Sequence, residues 1–216
     1  GFKETIYDII QRLPKISQIC LFSATIPEDI LELTNKFMNE AENILVKKEE
    51  LTLEGIQQFY ISLKHNDWKY DTITDLYDII NIGQCIIYIN SKKRIVDIYN
   101  QLIEDKFPVG YISGDRSVSE RNEIMEKFKN GSLRILLSTD LLSRGIDIQQ
   151  LSLVINYDLP RDKETYIHRI GRSGRYGRKG VAINLITERD IEILKNIESF
   201  YDTKIDEMPK NISDFL

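Results

Sequence analysis

Residues 168–180 read His168-Arg169-Ile170-Gly171-Arg172-Ser173-Gly174-Arg175-Tyr176-Gly177-Arg178-Lys179-Gly180. Arg169, Arg172, Arg175 and Arg178 recur at every third position, with glycines among them. A guanidinium is always charged and presents a planar fork of donors that grips phosphate oxygens two at a time. Glycine lets the backbone come close to a ligand. Together these residue types describe a phosphate-facing surface suited to a nucleotide. A solvated basic loop would use the same residues. From Arg161 to Lys179 only Asp162 and Glu164 offset the bases, although the 216-residue chain has a net charge of -5. Any nucleic-acid contact must therefore come from local patches, not from total charge. Ser91-Lys92-Lys93-Arg94 is a second, smaller patch.

An alternation of short apolar runs and amphipathic segments has to position these groups. Strands are expected at 19–22, 44–47, 57–63, 85–90, 109–113, 135–139, 153–157 and 181–186. Helices are expected at 5–13, 28–38, 68–80, 92–105, 119–129, 163–170 and 189–201. The strands are apolar almost throughout, which predicts cover on both faces and hence an α/β fold with a parallel sheet. Pro27 suits a first helical position, and Ser117 to Glu120 supplies hydroxyls before an amphipathic run. Gly110 and Gly131 fall where helices or turns should stop. The charged stretch 48–55, closed by Gly55, reads as a linker. Residues 1–47 then offer too few elements for a core of their own, whereas 56–216 offer a complete α/β domain.

With 42% hydrophobic and 29% charged residues, the composition is that of an ordinary globular protein. No apolar stretch is long enough to span a bilayer, and no signal peptide is visible. The chain opens without methionine, which reads as a piece of a longer protein. Cys20 and Cys85 each lie in an apolar run and read as buried free thiols of a reducing compartment, not as a disulfide or metal pair.

In an open parallel sheet, ligands bind beyond the carboxyl ends of the strands. Residues 85–90 lead into Ser91-Lys92-Lys93, and 109–113 into Gly114-Asp115-Arg116. Residues 135–139 lead into Asp140 and then Ser143-Arg144-Gly145-Ile146-Asp147. Residues 153–157 lead into Asp158 and the helix before the arginine-glycine segment. Every polar cluster is thus expected on one edge. A dinucleotide fold is the competing reading of Gly171, Gly174 and Gly177, but their spacing is not G-x-G-x-x-G and they follow a helix, not a first strand.

Ser23-Ala24-Thr25, the run from Ser138 to Asp147, and His168 to Arg175 resemble three signature motifs of the DEAD-box RNA helicases, in order and spacing. The resemblance covers the whole chain and is closest to the translation initiation factor 4A branch, including its exon-junction relative. Phe2-Lys3-Glu4, Leu51 to Ile56, Val154 to Pro160 and Ile205 to Pro209 look like that branch. The family clamps ATP and single-stranded RNA between two RecA-like lobes. The resemblance makes 1–47 the tail of the first lobe, 48–55 the interlobe linker and 56–216 the second lobe. There is no G-x-x-x-x-G-K-[ST] in the sequence, so the Mg²⁺ ligands would belong to the rest of the first lobe.

Site roles follow by resemblance. Arg175 is similar to an arginine finger, and Arg172 also faces the γ-phosphate. Gly145 and Asp147 resemble the ATP ribose contact. Ser23, Thr25, His168 and Arg169 resemble interlobe coupling residues, with a satisfied structural histidine as the other reading of His168. RNA sugar-phosphate contacts map to Ser91, Gly114, Asp115, Arg121 and Thr139, and Arg144 either joins them or braces its loop. Two departures bear on RNA: Ser113 replaces a usual histidine, and Val118 stands where a glutamine normally precedes Arg121. The implied partners are single-stranded RNA or short duplexes, the first lobe, and a helical-repeat scaffold of the initiation factor 4G type. The implied location is cytoplasmic, with the nucleus as the alternative. A non-catalytic scaffold-docking module is the competing function.

Overall fold

The computed structural model describes residues 3–23, 34, 37–38, 41–44, 55–80, 83–140, 151–173 and 180–215. The chain divides into two compact units, Gly1–Val46 and Lys47–Leu216.

In the first unit, α1 spans Lys3–Arg12 and stops before Pro14, which disfavours helical conformation in its predecessor. Tyr7 of α1 meets Phe37 edge to face, with ring centroids 5.4 Å apart. The strand expected at 19–22 does not form: residues 17–23 have no regular structure. A lone apolar run cannot be a strand unless a neighbour takes its N–H and C=O groups, and among the described residues none pairs with it. Cys20 is consequently exposed, against the expectation of a buried thiol. Most of 28–38 and 44–47 lies outside the described residues.

The second unit is a seven-stranded, wholly parallel sheet of order β3-β4-β2-β5-β6-β1-β7. Its strands are β1 (Ile56–Ser62), β2 (Cys85–Tyr88), β3 (Val109–Ile112), β4 (Ile135–Ser138), β5 (Leu153–Asn156), β6 (Gly180–Ile186) and β7 (Asp206–Glu207). Its helices are α2 (Trp68–Ile79), α3 (Lys92–Glu104), α4 (Val118–Lys129), α5 (Lys163–Ile170) and α6 (Ile191–Tyr201). β7 was not foreseen, because two exposed residues carry no apolar signal.

Side-chain alternation sorts the two layers. Cys85, Ile87 and Ile89 face the core shared with α2 and α3, while Ile86 and Tyr88 face the side of α4. The packing of α5 and α6 builds a further cluster on Ala182 and Ile186. Four central strands are buried at every position, as their continuous apolar runs require. Burial raises the Cys85 thiol pKa to about 12.

Ser117 starts α4 with a reciprocal capping box, its side chain bonded to the Glu120 N–H and Glu120 reaching back to it. Gly131 ends that helix with φ +82°. Gly110 is not a stop. It lies inside β3, where an added Cβ would stand 2.7 Å from Leu133 Cδ1, so it is a close-packing position.

The end of α3 is made differently. Phe107 N–H bonds the Leu102 carbonyl, Lys106 N–H bonds Ile103, and Lys106 itself takes φ 64°. This is a Schellman closure carrying lysine where glycine is favoured. A left-handed L residue costs about 1–2 kcal/mol, partly offset by the larger unfolded-state freedom of glycine. Lys106→Gly should therefore raise unfolding stability by about 0.5–1 kcal/mol, measured as a higher urea midpoint at unchanged slope.

Candidate functional site

The register of the sheet brings several polar groups to one edge. Ser138 pairs with Ile112 on one side and Tyr88 on the other, so β3, β4 and β2 end level. Ser91, Gly114, Asp115 and Thr139 follow within three residues of those ends. Ser91 caps α3, its hydroxyl accepting from the Arg94 N–H at 3.4 Å. Gly114 and Asp115 are exposed, and a Cβ at Gly114 would lie 3.6 Å from Lys92 Nζ. Ser113, buried where the family has histidine, donates its hydroxyl to the Asp115 carboxylate. That bond, Asp115's own N–H, and the charges of Lys92 and Arg116 hold the carboxyl below its ordinary range. The Ser113 hydroxyl thereby orients the exposed Asp115 carboxylate. Arg121 is half-buried, and its Nε donates to the Ser117 carbonyl at 3.4 Å. The capped turn thus braces Arg121 without the missing glutamine.

Ser173, in the described part of the arginine-glycine segment, does not share this edge. α5, capped by Asp162, carries the chain back until Ser173 bridges Leu151 just before β5. Arg172 therefore lies toward the amino end of β5, while Asp158, which directly follows β5, meets Asn90 at the carboxyl edge as expected. A helix after a parallel strand must run back along the sheet to reach the next strand's start.

Arg169 spans the gap from within. It is fully buried. Nε donates to Asp140 at 2.6 Å, one terminal nitrogen to Asn156 (3.2 Å) and the Asp158 carbonyl (2.7 Å), and the other to Asn90 (2.7 Å). All three nitrogens are engaged inside this unit. The network continues as Asn156 donates to Asn184 (2.8 Å), and Tyr166 donates to Gln58 (2.9 Å), which donates to Thr203 (2.9 Å).

Asp158 is a second junction that sequence reasoning missed. It accepts from the Asn90 N–H and from Arg94, each at 3.0 Å, and lies 3.6 Å from Lys69 Nζ. Lys69 is only 2% exposed, and it donates to the Tyr157 carbonyl at 2.7 Å. Burial lowers its pKa, opposed by Asp158. In sequence, Lys69 looks like a surface lysine of an early helical turn. The signal that could have exposed it was the lone carboxylate Asp158 closing an apolar strand. Beside it opens a cleft of about 260 Å³ lined by Ser91, Arg94, Arg161 and Arg189 among others.

His168 and Arg172 are half-buried, and Arg172 Nε donates to the His168 carbonyl at 3.4 Å. Ser23 is exposed in the first unit. Thr25, Arg144, Gly145, Asp147 and Arg175 lie outside the described residues. Tyr88, between the Arg169 side and the core, has a buried hydroxyl with no hydrogen-bond partner among the described residues. Burial raises its pKa to about 12, against the pull of Arg172 and Arg169. An unfolded chain ionises tyrosine near 10, so this stability is complete below pH 10 and is lost as pH rises from there toward 12. Tyr88→Phe should accordingly lose less unfolding free energy than the parent across that interval, measured by denaturant titration at successive pH values.

With this geometry in place, the similarities to known proteins are specific. The family described as Helicase conserved C-terminal domain matches residues 68–177. The chain is 57% identical over 212 residues to the ATP-dependent RNA helicase eIF4A of Candida albicans, covering 98% of this chain and 53% of that protein. It is 51% identical over 216 residues to eukaryotic initiation factor 4A of Caenorhabditis elegans, covering 100% of this chain and 54% of that relative. Among solved structures it is similar to S. cerevisiae Dbp5 bound to RNA and ADP BeF3, with TM-score 0.91 and 34% identity over 99% of this chain and 57% of that one. It is also similar to the C-terminal domain of the DEAD-box protein Dbp5, with TM-score 0.68 and 37% identity over 76% of this chain and 95% of that domain. The chain spans about half the length of the curated relatives it matches.

Proposed function

The chain belongs to the DEAD-box RNA helicases of the initiation factor 4A kind, and from that premise we propose that it acts as the second lobe of an ATP-dependent RNA helicase. In this reading the carboxyl edge grips RNA, while Arg172 and Arg175 face ATP carried by a first lobe. The observation that carries it is the buried Arg169. Its bonds to Asn90 and Asp140, neighbours of Ser91 and Thr139, make the RNA edge and the end of α5 one rigid piece. A lobe serving only as a scaffold dock would not require that tie.

The roles divide by chemistry. Ser91, Gly114, Asp115, Arg121 and Thr139 meet sugar and phosphate, with Arg144 beside them, and give sequence-independent binding. Arg172 and Arg175 stabilise charge spreading onto the phosphoryl oxygens as the γ-phosphate departs. Gly145 and Asp147 hold the ATP ribose. Ser23, Thr25 and His168 transmit closure, and Arg169 does so through the loops it anchors. Among the described residues no cluster of His, Cys, Asp or Glu could hold a metal. In this reading any Mg²⁺ that accompanies ATP is held by ligands in the rest of the first lobe. Likeness to initiation factors makes translation initiation the proposed process, the cytoplasm the proposed location, and a helical-repeat scaffold of the initiation factor 4G type the proposed partner. Among the described residues no helix is long and apolar enough to cross a membrane.

Closure of two lobes makes hydrolysis depend on residues from both. The 216-residue chain by itself should bind RNA weakly and release no phosphate from ATP above background in a coupled assay. If it neutralises about three phosphates, the slope of log K against log salt is roughly −2, a loss of about twentyfold from 50 to 200 mM salt. A flat salt profile would exclude the phosphate-gripping edge. In the intact protein, Arg175→Ala should lower kcat by about 10³–10⁵ while leaving ATP affinity within roughly tenfold. Equal losses in both would remove the finger assignment.

A further inference from the structure

Past the end of β3 stands a stack to which no role above has been given. Tyr99 of α3 meets Tyr111 of β3 edge to face, with ring centroids 4.8 Å apart. The Arg116 guanidinium lies over Tyr111, its carbon 3.8 Å from the ring centroid. Both tyrosines are half-buried, and Arg116 keeps 22% of its side chain open to solvent. One terminal nitrogen lies 3.6 Å from Glu120. The Nε is sealed from water and has no hydrogen-bond partner among the described residues. β3 is the outermost strand on its side of the sheet, so the stack flanks the sheet at the level of Gly114.

An exposed arginine ordinarily keeps its donors in water or on a carboxylate. Arg116 keeps one terminal nitrogen near Glu120, but its Nε has no partner among the described residues and one face lies against a ring, which fixes the plane of the guanidinium. It also follows directly on Asp115, whose carboxylate is oriented by the Ser113 hydroxyl and is exposed to accept from a ribose hydroxyl. A nucleotide whose sugar is held at Asp115 carries its base within one residue's reach of that plane. Guanidinium planes are stacking surfaces for unpaired bases, and such stacking tolerates any base because each has a π-face.

We propose that Arg116, held flat by Tyr111 and Tyr99, is a stacking subsite for one nucleobase of single-stranded RNA, adjoining the sugar-phosphate contacts at Gly114, Asp115 and Arg121. The proposal rests on the RNA-binding reading of this edge. It adds a base contact to a surface otherwise limited to backbone, and Arg116 belongs to the stack and not to the phosphate set.

The test uses the 216-residue chain at low salt with three probes: a short oligoadenylate, the same oligomer carrying 2-aminopurine, and a matched abasic strand. Arg116→Met and Arg116→Lys are compared with the parent after thermal melts establish that both fold. Both should weaken oligoadenylate binding by about five- to a hundredfold and abolish the 2-aminopurine quenching. The abasic strand should bind the parent and both variants alike, and the salt slope should change by less than the roughly 0.7 expected for one lost phosphate. If Arg116→Lys binds as the parent does, or the loss is equal on the abasic strand with a slope shallower by that amount, Arg116 is a phosphate contact and the stacking subsite is refuted. Unchanged affinity and quenching in both variants also refute it while leaving the RNA edge intact. Failure of the parent to bind any of the three probes would instead overturn the RNA reading itself, and this proposal with it.

Discussion

Arg169 is a permanent charge sealed from water, and its four hydrogen bonds end on Asn90, Asp140, Asn156 and Asp158. Desolvating such a charge costs several kcal/mol unless good geometry and satisfied partners offset it. The acceptors come from the ends of β2, β4 and β5, so the lobe can bury Arg169 only by holding those three ends in one arrangement. From Asn156 the polar path runs to Asn184 on β6, whose amide reaches the Phe59 carbonyl on β1. A buried network in which every nitrogen of the charge is engaged rigidifies a core, whereas one with its polar groups left unpaired destabilises it. In the proposed helicase the consequence is mechanical: the RNA edge and Arg172 move as a body when the lobes close.

The same arithmetic of buried charge redistributes the basic residues. Ser91-Lys92-Lys93-Arg94 reads as one patch in sequence, yet Arg94 is paired with Asp158, which also faces the buried Lys69. Those cations serve the architecture of the edge. Among the described residues of this edge, Lys92 near Gly114 and Arg121 on its capped turn remain for an anionic ligand, while Arg116 lies against its aromatic support. An acidic chain can in this way present a basic rim. Beyond about 8–10 Å its distant carboxylates are screened at physiological salt, so nearby charges dominate.

Much of this was legible before any coordinates. The runs at 85–90, 135–139 and 153–157 announced buried parallel strands because a strand covered on both faces must be apolar throughout. The Ser117 start of α4 was legible because a capping hydroxyl acts over three residues. The errors share a cause. Residues 19–22 look like a strand, but strand formation depends on a partner that sequence does not supply. Gly110 looked like punctuation, but the side chain that crowds it is Leu133, far along the chain. The full burial of Arg169 was likewise illegible, because the acceptors that permit it lie far away in sequence.

Local sequence by itself determined the element types, the capping turn, the layered α/β class and the family likeness, since each depends on periodicity or spacing over a few residues. Only the tertiary structure decided which arginine is buried and which is presented, that Ser113 orients Asp115, and that Ser173 returns beside Leu151, just before β5. Burial and pairing are set by residues separated by tens of positions, such as Asn90 and Arg169, and no local pattern encodes the environment they create for each other.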